Sequence, residues 1–342
     1  MPETTVLVTG ATGYIAKHLV LQLLNAGYHV VGSLRNMARE AELHTALAPH
    51  LTDPNALSRL RVVQLDLMSD PGWDTAMTGV DVLMHTASPF PIAQPKDENE
   101  LIRPAVDGAL RAVNAAKAAG INRVIMTSSS VAVMNGDLPQ GKTTYDEEDW
   151  SDLDYPSVTP YVKSKTLAER AVWDWQAKDA PDMQITMINP TFVMGPPLDN
   201  NYGSSIDVIV RLITSKDPML ARFGMPCVDV RDIALMHIRA MERPDSAGQR
   251  ILGVDRSLWY ADMALTLKGA FPDRRIVTRV APNLIVRFLS LFDAEIRSIL
   301  PILGTSPQVS NSKARDLLGI DFRDVRTGIR EAGQYLIDNR LV

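Results

Sequence analysis

The sequence predicts an α/β protein: a doubly wound parallel sheet with a smaller C-terminal lobe. Three observations lead there. Apolar, β-branched runs recur with helical stretches between them, the pattern of a parallel sheet covered on both faces. The first run, Thr4–Val8, ends in the glycine turn Thr9-Gly10-Ala11-Thr12-Gly13-Tyr14-Ile15-Ala16, which opens the amphipathic stretch Tyr14–Asn25. After Pro190 the regular alternation stops and loops rich in Pro, Gly and Asn take over. In the glycine turn, Gly10 permits the tight bend and Gly13 lets backbone approach a phosphate. The helix start supplies free N–H groups and the positive end of a dipole. Ala16 stands where the usual fingerprint has a third glycine, with only a methyl group added. A strand, this turn and a helix in the first thirty residues predict a dinucleotide site at Gly10, Thr12, Gly13, Tyr14 and Ile15.

Further strands are expected at Tyr28–Gly32, Arg61–Asp66, Asp81–Thr86, Asn122–Thr127 and Gln184–Asn189. Helical patterns fit Met37–Leu47, Glu98–Ala119 and Tyr161–Asp179. Pro95 precedes the second of these, and Gly120 stops it. Right-handed crossovers then give a Rossmann sheet with its ligand crevice at the strands' carboxyl ends. Beyond Pro190 we expect a helix at Ile206–Ser215, a return segment at Cys227–Met241, a strand near Arg250–Val254 and a helical tail. The expected division is residues 1–190, with a return segment at about 227–255, for the dinucleotide domain. Residues 191–226 and 256–342 form the smaller substrate lobe.

Composition narrows the function. A net charge of −5 argues against sequence-independent nucleic-acid binding, which needs basic surface. Cys227 is the sole cysteine, so no intrachain disulfide forms, and a reducing, cytoplasmic setting is expected. The first apolar run is already the nucleotide strand, so no signal peptide is read. The apolar segment Ala281–Gly304 is interrupted by Arg287, Asp293, Glu295 and Arg297, which is incompatible with a bilayer span. A helix packed on the core or the lobe is expected there rather than an interfacial one. The six histidines are scattered, and no metal is expected.

Tyr161 and Lys165 lie four residues apart at a helix start, on one face. Moving a tyrosine pKa from about 10 to about 7 takes roughly 4 kcal/mol. One ammonium about 4 Å away supplies about that much at an effective dielectric near 20. Thr127-Ser128-Ser129-Ser130 ends the fifth strand, so one hydroxyl should reach the crevice, while Ser128 and Ser130 suit capping of the next turn. The second strand's end, Ser33-Leu34-Arg35-Asn36, lacks the carboxylate that binds the ribose 2′-hydroxyl of NAD. Arg35 and Arg39 suit a 2′-phosphate instead, so NADP(H) is the expected cofactor.

These elements together resemble the extended short-chain dehydrogenase/reductase family, on its dihydroflavonol-reductase-like branch with aldehyde and ketone reductases. The matching pieces are the Thr9–Ala16 turn, Asp66-Leu67, Val82-Leu83-Met84-His85-Thr86-Ala87-Ser88-Pro89, the triple serine and Tyr161/Lys165. Asn189-Pro190-Thr191-Phe192-Val193-Met194-Gly195-Pro196 and Val228-Asp229-Val230-Arg231-Asp232-Ile233-Ala234 complete the set, over about the first 255 residues. The resemblance implies Ser129 as catalytic serine, Tyr161 as acid/base and Lys165 as its ribose-binding helper. It places Asp66 and Leu67 beside the adenine, Thr86 and Ala87 against the cofactor, and Pro190 and Val193 near the nicotinamide carboxamide. His85 is expected to pack without proton chemistry. Asp229, Arg231 and Asp232 are expected to form an ion-pair lattice between the lobes. Phe90, Pro91, Met134, Met194, Tyr202 and Phe223 are candidates for the substrate pocket, with core packing an equal reading for each. Met134 stands where dihydroflavonol reductases carry an asparagine, which argues against a flavonoid substrate. The cysteine of cinnamoyl-CoA reductases is absent from Val158-Thr159-Pro160-Tyr161, which argues against a CoA thioester. The expected activity is reversible reduction of an aldehyde or ketone, by a monomer or homodimer. Sugar-nucleotide epimerases and dehydratases share the implied fold and are the main alternative. Non-catalytic NADP sensors typically lose the tyrosine or lysine, and both are intact here.

Overall fold

The computed structural model describes residues 3–88 and 97–342. In chain order the first half runs β1 (Thr5–Val8), α1 (Tyr14–Asn25), β2 (His29–Leu34), α2 (Glu40–Leu47), β3 (Leu60–Gln64), α3 (Trp73–Met77), β4 (Val82–His85), α4 (Asn99–Ala118), β5 (Arg123–Thr127) and α5 (Pro160–Asp179). It continues with β6 (Gln184–Pro190), β7 (Phe192–Met194), α6 (Ser204–Ile213), β8 (Gly224–Asp229), α7 (Val230–Glu242), β9 (Arg250–Gly253) and β10 (Arg256–Trp259). The tail is helical: α8 (Tyr260–Ala270), α9 (Asn283–Leu289), α10 (Ala294–Ile299), α11 (Ser312–Leu318) and α12 (Val325–Asp338).

Seven parallel strands form the main sheet in the order β3-β2-β1-β4-β5-β6-β9. Val6 of β1 is paired on one side with Val30 and on the other with Val82, so the chain reverses its direction of travel at β1. That reversal opens a crevice at the strands' carboxyl ends. The expected strands and helices agree with the structure to within a few residues, because their apolar spacing matches faces that are in fact buried. In α4, Leu101, Ala105, Ala109, Ala112, Val113 and Ala116 form the buried stripe. One core lies on this face, under α3, α4 and α5. The other lies under α1 and α7 and continues into the lobe. A second sheet, β10-β8-β7, extends that lobe.

Asp229, Arg231 and Asp232 do form an ion-pair lattice. Arg231 donates to both oxygens of fully buried Asp229, at 2.8 and 2.7 Å, and pairs with Glu331 of α12 at 2.6 Å. Asp232 pairs with Arg323 and accepts its backbone N–H at 2.8 Å. Helix α12 presses so closely that a Cβ on Gly328 would stand 2.5 Å from Asp229 Oδ2 and 3.2 Å from Gly195 Cα. Gly328→Ala is therefore expected to cost about 1–3 kcal/mol, by overpacking beside a buried carboxylate. A thermal or urea melt checks this, and an unchanged midpoint would contradict it.

The segment Ala281–Gly304 departs from the expectation of a packed helix. It forms two short helices, and several of its apolar side chains face outward, with Leu284 81% and Phe292 76% exposed. Among its apolar side chains only Ala281 and Val286 are buried among the described residues. Spacing alone identified an amphipathic segment but not whether anything covered it.

Candidate active site and cofactor crevice

Local sequence sets each wall of the crevice. Gly10 turns with φ +66°, and a Cβ there would lie 2.9 Å from Ala87 Cβ, so only glycine fits between β1 and the end of β4. Gly10 N–H donates to Ser33 Oγ and Ala11 N–H to the Ser33 carbonyl, tying the turn to β2. Gly13 is the N-cap of α1 and provides no side-chain cap, so the first N–H groups of the helix remain available to a ligand. The Thr9 hydroxyl accepts from the N–H groups of Thr86 and Ala87 at 3.1 Å each, placing this pair on the wall beside Gly10.

The crevice encloses about 1450 Å³. Arg35, Asn36 and Arg39 line it at the end of β2, and Ser129, Tyr161 and Val193 line it near β5 and β6. The ends of β2 and β5 are three strand spacings apart, about 14 Å, which a dinucleotide across the switch point spans. Gly10, Thr12, Gly13, Tyr14, Ile15, Asp66, Leu67, Thr86, Ala87 and Met134 also line it. Arg39 is held by Glu42 through two bonds of 2.8 and 2.6 Å, whereas Arg35 is exposed without an ion-pair partner among the described residues.

The reactive end is built by α5. Thr159 caps the helix and Pro160 opens it, so Tyr161 and Lys165 lie one turn apart on its inner face. Ser129, not Ser128 or Ser130, caps the short turn after β5, accepting from Val131 N–H at 3.4 Å. The Ser129 side chain hydrogen-bonds the Tyr161 hydroxyl. Ser128 is drawn away to the Glu169 carboxylate. Lys165 Nζ lies 5.9 Å from the Tyr161 ring centroid. It lines a small cavity of about 30 Å³, enough for one water, together with His85, Thr127, Ser128 and Glu169.

The titration directions differ from the simplest expectation. Burial holds the Tyr161 phenol above its ordinary value, opposed by its bond to Ser129. The Lys165 ammonium is not among the causes that shift the phenol. Burial also brings Lys165 down to about 8, with Glu169 opposing that shift. His85 is lowered to about 3 by burial and then by Lys165, and its Nδ1 meets the Thr9 hydroxyl at 3.0 Å. The histidine is thus a neutral packing residue.

The NAD dependent epimerase/dehydratase family matches residues 6–253, well over half of the chain. The chain belongs to the extended short-chain dehydrogenase/reductase family. Among its relatives, ketoreductase azaE of Aspergillus niger is 33% identical, with 97% of each chain covered. Cinnamoyl-CoA reductase 1 of Arabidopsis thaliana is 32% identical, covering 80% of this chain and 77% of its own. The crystal structure of yeast methylglyoxal/isovaleraldehyde reductase Gre2 complexed with NADPH superposes with a TM-score of 0.81. It is 25% identical and covers 99% of this chain and 100% of its own.

Several expected positions of this reductase/dehydrogenase framework lie elsewhere. Met194 is fully buried in the core and does not line the crevice, whereas Thr191, Phe192 and Val193 before it do. Pro190 is buried within β6 and stands behind the lining residues Thr191–Val193. Tyr202 packs against the core, and Phe223 stacks on Tyr260 at 5.0 Å between centroids. Tyr14 lines the turn, but its hydroxyl donates to the Gly195 carbonyl at 2.7 Å and so serves the lobe. Phe90, Pro91 and Pro95 lie outside the described residues.

The structure also adds residues that sequence reading missed. Asn201, Gly203, Ser204 and Ser205 reach the crevice at the uncapped start of α6, and Met225 and Pro226 arrive from β8. Asn201 is fixed by donation to the Thr12 carbonyl at 2.9 Å and by accepting from buried Lys17 at 2.9 Å, and Lys17 also pairs with Asp199. The Gly203-Ser204-Ser205 helix start was visible as a signal, but its direction toward the glycine turn was not.

Proposed function

We propose that this protein is an NADP-dependent oxidoreductase that reduces the carbonyl group of a small aldehyde or ketone, reversibly. The observation that carries this reading is the Tyr161–Ser129 hydrogen bond at one end of a crevice whose other end presents Arg35 and Arg39. The residues fit the cofactor. Gly10 and the open start of α1 suit the pyrophosphate, and Arg35 and Arg39 suit the 2′-phosphate. Lys165 is a half-buried ammonium with no hydrogen-bond partner among the described residues, and the ribose hydroxyls would provide one. Bound NADPH supplies the hydride for the carbonyl carbon.

The chain's own residues handle the oxygen. Ser129 and Tyr161 hydrogen-bond the carbonyl oxygen, and Tyr161 gives it a proton as negative charge develops. A phenol kept protonated by burial is in the form that reduction requires. Lys165 stabilises the phenolate left behind until solvent restores the proton. Met134, Val131, Phe192, Val193, Met225 and Pro226 make the nearby wall mostly apolar, which favours small aromatic or aliphatic substrates. A panel of such aldehydes and ketones, followed by NADPH consumption, tests the reading. No turnover of any carbonyl compound by a protein that binds NADPH would contradict it.

Cofactor choice has its own test. Losing one charge-assisted phosphate contact costs roughly 1.5–3 kcal/mol, or about 10- to 150-fold in affinity. Arg35→Ala is expected to weaken NADPH by that much and leave NADH nearly unchanged. Equal NADPH affinity in variant and wild type would remove Arg35 from the site.

A further inference from the structure

Behind the reactive end lies a buried polar cluster that the proposed reaction does not itself use. Glu169 follows Lys165 by four residues on α5, and its side chain is fully buried. Its carboxylate collects donors from three strands or their ends. Arg250 Nε of β9 donates at 2.5 Å, Asn189 Nδ2 of β6 at 2.8 Å, and Ser128 Oγ after β5 completes the set. Asn189 Nδ2 also donates to the Ser129 carbonyl at 3.2 Å. Arg250 is anchored in turn by the carbonyls of Glu147 and Asp149, at 2.9 and 2.7 Å, and stacks 3.7 Å from the Trp150 ring centroid.

We propose that Glu169, with Arg250 as its counter-ion, is a positioning residue for this reaction. It keeps the Lys165 ammonium charged and in place while tying the Ser129 backbone to the same buried cluster. The proposal rests on the NADPH reading above. An ammonium partly withdrawn from water is held protonated by an opposite charge close by, and i, i+4 spacing on one helix face, with both side chains lining the same small cavity, gives Lys165 that neighbour. The other groups facing Lys165 do not replace it. Beta-strand β4 brings His85, which is neutral and uncharged, α5 itself brings Tyr161, α4 brings Ala105 and Ala109, and β6 brings Met187. Arg250 reaches the cluster through Glu169 and would by itself oppose the lysine charge. The single carboxylate therefore serves two cations, one structural and one functional.

The test reads NADPH affinity against pH in the full-length protein, so it does not depend on which carbonyl compound is reduced. Wild type is expected to lose affinity as Lys165 deprotonates near pH 8. In Glu169→Gln, an isosteric change that keeps an acceptor for Arg250, this alkaline limb should move down by about half a unit or more. That is roughly a threefold loss of the charged fraction at a given pH. Glu169→Asp, which keeps the charge but retracts it, should move the limb less in the same direction. An unmoved limb in Glu169→Gln, with or without a general loss of affinity, would reduce Glu169 to a structural part and overturn the proposal. If Glu169→Gln does not fold, the limb in Glu169→Asp decides, and an unmoved limb there overturns it equally. A wild-type protein that binds no NADPH at any pH would instead overturn the functional reading, and this proposal with it.

Discussion

Tyr161→Phe is expected to lower turnover about 10²–10⁴-fold while leaving the fold and NADPH binding intact. The substitution keeps the ring, which lines the crevice from α5, and removes only the hydroxyl bonded to Ser129. Loss of that hydrogen-bond donor at the developing oxyanion adds to the loss of the proton. His85→Gln serves as the control. His85 is neutral throughout the working pH range and bonded to Thr9, so the change should cost far less. A Tyr161→Phe protein with verified bound cofactor that retains more than about a tenth of wild-type activity would show that Tyr161 is not the acid.

Lys165→Met is expected to harm function and help stability. In the proposed mechanism the ammonium serves both the cofactor ribose and the phenolate. Its loss should weaken NADPH about 10- to 150-fold and depress turnover as well. Stability moves the other way. Burial brings the lysine from 10.5 down to about 8, so holding it protonated in the folded state costs roughly 3 kcal/mol at neutral pH. Between pH 8 and 10.5 the unfolded chain binds the extra proton, so wild-type stability gains from this group as pH rises through that window. Below pH 8 the full cost applies. Lys165→Met removes it, and its melting temperature at pH 7 should rise, with a flatter dependence from pH 8 to 10.5. A fall in melting temperature together with unchanged NADPH affinity would contradict both halves of the argument.

The main sheet and most of its helices were legible because burial on two faces forces continuous apolar runs and a 3.6-residue stripe. The reactive end was legible for the same local reason. Thr159-Pro160 starts a helix, and spacing then puts Tyr161 and Lys165 on one side. Residues whose roles come from long-range closure were not. Glu169 and Arg250 are 81 positions apart and meet only because β9 lies beside β6. Asn201 from a loop, Ser205 from the start of α6, and Met225 and Pro226 from β8 reach the crevice through a tertiary arrangement that no local periodicity specifies. Met194 and Tyr202 carry the right chemistry for a pocket wall, yet packing turned them to the core. The outward face of Ala281–Gly304 shows the converse limit, since an apolar stripe records amphipathicity and not what it meets.

Stoichiometry separates net carbonyl reduction by NADPH from chemistry that regenerates its cofactor. Purified protein is given limiting NADPH and an excess of a small aromatic or aliphatic aldehyde or ketone, and alcohol formed is counted against NADPH oxidised. The account predicts one alcohol for each NADPH consumed, with Tyr161→Phe forming almost none. Epimerases and dehydratases of the same fold return their cofactor to its starting state in each cycle. Conversion of a nucleotide sugar with no net change in cofactor, and no alcohol from any carbonyl compound, would contradict the account.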